Sequence, residues 1–223
     1  MLHSTYYHKN TNEDPKTSAI FENLMLLPDN VFWYILRCSC SDNSSLPTNT
    51  GRLISYRFWP HWDKTNTNNA NYIEPDLFLE FEEFDIIIEA KYGDRSGQYR
   101  DQWEKEIIAY SNEYELKKEF VFIAVGGNIS TKTEIIKVKN HSITIYKCSW
   151  LSLLININRY DKELECVTVF DMNLSATRRL LSNIILAFNI NGVYNIDWFN
   201  TIAQSHTIIS QSSIENLSTF FKF

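Results

Sequence analysis

The chain has little of what marks several functional classes. Its four cysteines, Cys38, Cys40, Cys148 and Cys166, stand at irregular spacing. They make neither a zinc pattern nor a disulfide framework, and they read as reduced thiols in a cytoplasmic protein. Glycine and proline are sparse, and no internal repeat or low-complexity block is present. There is no Gly-x-Ser-x-Gly elbow, no His-Glu-x-x-His and no Walker loop, which removes three hydrolase and nucleotide-binding readings. Gly126-Gly127 lacks the Lys-Ser/Thr that a phosphate loop needs, so no nucleotide cofactor is expected. No run approaches the ~18 apolar residues of a membrane span, and Met1–Asp14 lacks the apolar region of a signal peptide. Positive charge is also missing: the formal net charge is −6. That excludes a protein that coats nucleic acid by charge alone, while leaving room for local basic contacts or a protein partner.

What is present is a globular composition, 44% hydrophobic and 22% charged over 223 residues, enough for one domain or one domain with an appendage. The most informative stretch runs EPDLFLEFEEFDIIIEAK from Glu74 to Lys91. Leu77–Phe81 and Phe84–Ala90 read as strands, joined by a turn at Glu82-Glu83. With the turn centred there, facing residues have numbers that sum to 165, and Asp76 and Glu89 satisfy that sum. Directly opposed residues of an antiparallel pair have Cβ atoms about 5 Å apart. Lys91, two residues beyond Glu89, shares its face, while Ile86, Ile88 and Ala90 point to the other.

The expected result is two carboxylates and an ammonium group at one place. Two carboxylates at that distance repel unless a proton or cation lies between them. Hard, sparse oxygen ligands suit Mg²⁺ or Mn²⁺, which would neutralise charge on a phosphodiester and activate water.

Pro75-Asp76, twelve intervening residues and Glu89-Ala90-Lys91 resemble the PD-(D/E)XK nuclease superfamily. The apolar strand Ile86-Ile87-Ile88 leading into Glu-x-Lys strengthens the resemblance, which covers about Asn12 to Gly127. It implies an α/β restriction endonuclease-like fold: an αβββαβ core with a central mixed sheet flanked by helices. It further implies metal-dependent hydrolysis of DNA, as an endonuclease of restriction, phage defence or repair. Asp76, Glu89 and the Ala90 carbonyl would be the metal ligands and Lys91 the catalytic ammonium. Members often add a glutamate from the first helix, for which Glu13 is the candidate and Glu22 the competitor. They also add a glutamine from the helix after the Glu-x-Lys strand, here Gln102, with Gln98 the alternative. Cleavage of both strands would favour a homodimer. The competing reading is a nuclease-fold DNA-binding or scaffolding module that has lost activity and works with a protein partner.

The remaining elements follow from periodicity. Asp14 and Pro15 are expected to start a helix carrying Ile20, Phe21, Leu24 and Leu27. Val31–Arg37 fits a helix or a buried strand. Arg52–Trp59 reads as a strand, and Phe58, Trp59 and Trp62 as core or loop packing. Asp63–Tyr72 is an exposed Asn/Thr-rich loop beside the motif, in a position to contact DNA. Gln98–Leu116 reads as a helix with Gln98, Gln102 and Glu106 on one face and Trp103, Ile107 and Tyr110 on another. Arg95, Arg100 and Lys105 stand near enough to meet phosphates. Glu119–Val125 should be a strand parallel to Ile86–Ala90, since strand, helix, strand is a crossover unit. A hairpin is expected over Glu134–Val138 and Ser142–Tyr146. Residues 1–150 form the expected nuclease core. Residues 151–223 form a mostly helical extension packed on it, with helices over Trp150–Ile157 and Leu180–Phe188 and a C-cap at Gly192. Thr201–Phe223 reads as a helix with a loose end.

Overall fold

The computed structural model describes residues 13–166 and 172–195. The expected tail over Met1–Thr11 and the expected helix after Thr201 lie outside the described residues. The fold is α/β, built on a six-stranded mixed sheet of order β1-β2-β3-β4-β6-β5. The strands are β1 Leu53–Phe58, β2 Leu77–Phe81, β3 Asp85–Ala90, β4 Phe120–Val125, β5 Glu134–Val138 and β6 His141–Cys148. The helices are α1 Glu13–Leu24, α2 Asp29–Ser39, α3 Arg100–Tyr114, α4 Trp150–Glu165 and α5 Met172–Ile190.

The β2–β3 hairpin has the anticipated register: Leu77 faces Ile88 and Phe78 faces Ile87. β3 is buried along its whole length, which is why it reads as a continuous apolar run rather than an alternation. Leu77, Leu79, Ile86, Ile88 and Ala90 join the core formed with α1, α2, α4 and α5. Phe78 and Ile87 face the other way, onto Trp103, Ile107 and Tyr110 of α3. A strand covered on both faces has little freedom to slip, because a one-residue shift would exchange every contact.

α3 carries the chain over the sheet to β4, which runs parallel to β3 with Ile88 beside Ile123 and Glu89 beside Ala124. β6 adds parallel to β4, and β5 folds back antiparallel at the sheet's edge. Val31–Arg37 lies in a helix, because Pro28 starts it and Val31, Phe32, Ile35 and Leu36 then bury one stripe. α1 opens at Glu13, one residue before the expected cap at Asp14. α4 and α5 run longer than their apolar stripes suggested. α4 begins at Ser149, whose Oγ accepts the Ser152 N–H at 2.9 Å. Gly192 closes α5 with φ +76° and receives no Cβ penalty there. Leu153, Ile157, Leu181, Ile184 and Phe188 enter the same core as β3, so these helices pack on the sheet. Cys40 pairs across an isolated bridge with Cys148, not with its neighbour Cys38, and both remain thiols. No described helix is long and apolar enough to cross a membrane.

Phe78 is fully buried, with ring centroids 5.4 Å from Trp62, 6.1 Å from Tyr110 and 5.1 Å from Tyr114. Phe78→Ala is expected to cost about 3–5 kcal/mol of folding free energy, read as a lower midpoint in urea denaturation with an unchanged slope.

Candidate functional site

The two acids of the motif stand just beyond the end of the β2–β3 ladder, which closes at Leu77 and Ile88. Asp76 follows Leu77 out of the paired region, and its Oδ2 accepts the Ala90 N–H at 2.7 Å. The Trp59 N–H holds the Asp76 carbonyl at 3.2 Å, so β1 fixes the same residue from the other side. Trp59 adopts φ +47°, an uncommon conformation for an aromatic residue. The bond from the Ala90 amide sets Asp76 next to the strand end that carries Glu89.

Glu89 is 1% exposed. Its Oε1 pairs with the Lys91 ammonium and accepts the Gln102 amide at 2.6 Å. Gln98 serves the backbone instead: its Nε2 donates to the Glu89 carbonyl at 2.9 Å, and its Oε1 accepts the Trp103 indole N–H at 2.6 Å. Both candidate glutamines therefore reach Glu89, one at the carboxylate and one at the main chain.

Glu106, one turn beyond Gln102 on α3, is the acid that the motif did not identify. It is 2% exposed, and it stands close enough to Glu89 for each carboxyl to perturb the other's titration. Burial, followed by the Glu106 charge, holds Glu89 well above the usual carboxylate range, with Lys91 opposing. Burial likewise pushes Glu106 up to about 8, with the Asp76 charge adding to the rise. Two buried carboxyls side by side favour keeping one of them protonated. The spacing Gln98, Gln102, Glu106 on one helix face was the signal that could have revealed Glu106.

Lys91 is held by backbone. Gly97 and Gly127 flank its stem, Gly126 lies against its carbonyl, and a Cβ on Gly127 would stand 2.8 Å from the Lys91 Cβ and Cγ. The Lys91 carbonyl accepts the Trp150 indole N–H at 2.6 Å. Asp94 Oδ1 accepts the Trp150 N–H at 2.8 Å, which ties the loop after β3 to the start of α4. Gly126-Gly127 thus serves as packing around a lysine.

α1 reaches this loop through Lys16, which donates to the Tyr92 carbonyl at 2.7 Å and lies 4.7 Å from the Trp150 ring centroid. Burial pushes Lys16 down to about 8, opposed by Asp94. Glu13 opens α1 three residues before Lys16, but its side chain lies outside the described residues. Glu22 is six residues past Lys16, roughly 9 Å farther along the helix axis. Among the expected phosphate contacts, Arg100 is engaged by Glu134 at 3.4 Å and the Ile135 carbonyl at 2.7 Å, and Lys105 by Asp101 at 2.7 Å. Arg95 is exposed.

A fit to a hard cation can be judged from the oxygens. Glu89 Oε2 and Glu106 Oε2 are buried without a hydrogen-bond partner, and Asp76 acts electrostatically on Glu106. Hard anionic oxygens of this kind suit Mg²⁺ or Mn²⁺, which keep several waters and need few protein ligands. Among the described residues, no three His, Cys, Asp or Glu side chains stand together as a complete metal cage. The two unpartnered carboxyl oxygens are the part of such a ligand set that the chain presents here.

No protein-family model matches the chain. It is 28% identical, over an alignment of 213 residues, to an uncharacterized protein of Pasteurella multocida (strain Pm70); the match covers 88% of this chain and 76% of that protein.

A folded Glu106 that keeps its proton up to about pH 8 binds more protons than an unfolded one above the ordinary carboxylate range. Stability of the metal-free protein should therefore fall as pH rises from about 4.5 to 8, by on the order of 1 kcal/mol per pH unit for one proton, and level off above that. Thermal melts in EDTA are expected to show this slope, and Glu106→Gln to flatten it. Gly126 has φ +67°, and a Cβ there would stand 2.6 Å from the Lys91 carbonyl and 2.7 Å from the Trp150 indole nitrogen. Gly126→Ala is expected to lower the melting temperature by several degrees, whereas Gly93→Ala, in open space, should not.

Proposed function

We propose that the chain is a divalent-metal-dependent phosphodiesterase acting on DNA, an endonuclease of the PD-(D/E)XK type serving restriction, phage defence or repair. One observation carries the reading. Glu89, at the end of a strand buried on both faces, meets Lys91, Gln102 and a second buried acid, and Asp76 is tied to the same strand end through the Ala90 amide. A structural ion pair does not need three acids in a nonpolar setting. Their mutual repulsion is a cost that a cation would relieve.

Asp76 and Glu89, with the Ala90 carbonyl, would hold Mg²⁺ or Mn²⁺, and Glu106 stands beside them. When bound, such an ion supplies charge neutralisation on the phosphodiester and lowers the pKa of coordinated water. The chain's own part is positional and electrostatic. Lys91 presents an ammonium whose stem is fixed by glycine backbone, and it stabilises charge that develops on the phosphoryl oxygens. Gln102 holds Glu89 Oε1 without adding charge and so keeps the carboxylate oriented. Gln98 secures the Glu89 main chain, and Lys16 and Trp150 secure the turn that follows.

A second reading, a silent nuclease-fold module that binds DNA alongside a partner, draws on the net charge of −6 and on the engagement of Arg100 and Lys105 by acids. Either reading allows a homodimer.

Cleavage of plasmid and linear DNA in Mg²⁺ or Mn²⁺ separates the two. Wild type is expected to nick or linearise plasmid, and EDTA to stop it. Glu89→Ala and Lys91→Ala should each reduce cutting at least 100-fold while keeping a cooperative melt. Variants that cut like wild type would remove these residues from the chemistry. DNA binding without cutting under either metal would favour the silent module.

A further inference from the structure

A cleft of about 530 Å³ opens beside the buried acids, between α3 and the loop before β2. Its lining includes Asn69, Tyr72, Glu74, Tyr99, Gln102 and Glu106. Gln102 and Glu106 are the same side chains that touch Glu89, so the cleft adjoins the candidate site. Its size falls within the roughly 300–1,000 Å³ of pockets that hold one small organic group.

Its walls are aromatic and preset. Tyr72 is 44% exposed, and its ring stacks on His61 with centroids 3.5 Å apart and planes inclined by 13°. His61 in turn bonds Glu74 at 2.8 Å. Tyr99 is 67% exposed at the N-cap of α3. Trp62 and Ile73 close the base of the intervening loop with two backbone bonds of 2.8 and 3.1 Å. Asn112 binds the carbonyls of Asp63 and Thr65, and Glu113 accepts the Asp63 N–H at 2.7 Å. The Tyr72 wall is thus clipped to the helix that supplies the opposite wall.

The lining chemistry selects the occupant. Glu74 and Asp101 outnumber Lys105, whose ammonium is already held by Asp101 at 2.7 Å. A phosphate would be repelled there. A neutral planar group with hydrogen-bonding edges suits exposed aromatic rings flanked by amides and carboxylates.

We infer that this cleft seats one unpaired nucleobase of the substrate, stacked on Tyr72 and Tyr99, so that the protein engages DNA that is single-stranded or opened near the cut. The inference rests on the phosphodiesterase reading for the identity of the ligand. A base inside a continuous duplex remains in its own stack and cannot enter such a pocket without being extruded.

The test uses oligonucleotides that carry 2-aminopurine, whose fluorescence drops on stacking, with the full chain in EDTA so that nothing is cut. Single-stranded oligonucleotide is expected to bind at least tenfold more tightly than the fully paired duplex, with quenching. Tyr72→Ala and Tyr99→Ala should each weaken binding by about tenfold or more and remove the quench. Tyr99→Phe should retain both, and Tyr56→Ala, an exposed tyrosine on β1, should match wild type. Equal affinity for duplex and single strand, no binding of either, or quenching that survives both alanine variants overturns the inference. Because the readout is binding, the two proposals fail separately. Stacking without cleavage in Mg²⁺ or Mn²⁺ would leave the pocket and remove the nuclease, and cleavage without stacking would do the reverse.

Discussion

Burial of the Glu89 carboxyl is the constraint around which the site is assembled. A carboxylate taken out of water must be protonated, paired or bound to a cation, and the surroundings of Glu89 offer the first two. The Lys91 ammonium and Gln102 amide satisfy one oxygen. Glu106 lies close by and, with burial, favours a protonated carboxyl. Asp76, drawn in by the Ala90 amide, adds negative charge that makes the cluster receptive to a positive ion. None of these contacts would form if β3 were open to solvent on one face. α3 on one side of the sheet, and α1, α2, α4 and α5 on the other, exclude the water that would otherwise screen the acids.

The backbone supports this burial through three attachments near the end of β3. Gln98 takes the Glu89 carbonyl, Trp150 takes the Lys91 carbonyl, and Lys16 takes the Tyr92 carbonyl. Their donors come from the loop before α3, from α4 and from α1, so helices distant in sequence converge on consecutive turns of one strand exit. α4 thereby contributes directly to the site region, although the motif residues all precede it.

Much of this was legible in the sequence because it depends on local periodicity. The facing of Asp76 and Glu89 follows from counting across a two-residue turn, and the parallel pairing of β3 with β4 follows from the length of the crossover helix. Val31–Arg37 was ambiguous because a short apolar run fits a helix or a buried strand, and only packing against the sheet decides it. Glu106 was placed on the correct face with Gln98 and Gln102, but a helix face alone does not reveal which of its polar residues is buried. Lys16 and the glycine enclosure of Lys91 were not legible, since both join segments remote in sequence. Glu13 falls where side chains are not described. Phe58, Trp59 and Trp62 are packing residues, with Trp62 in the core. The exposed aromatics beside the acids are Tyr72 and Tyr99, one in a polar loop and one just before a helix, where periodicity carries no signal.

The paired backbone of Trp62 and Ile73 closes the loop between them independently of its contents. Closure entropy rises only slowly with loop length, and the acids are held by the sheet and α3. Residues 63–72 can therefore be exchanged or lengthened with little effect on folding. That separates two traits during divergence: the groups around Glu89 can stay fixed while the segment overhanging them is rewritten, so relatives with the same scaffold can acquire different ligand preferences by variation in this one insert.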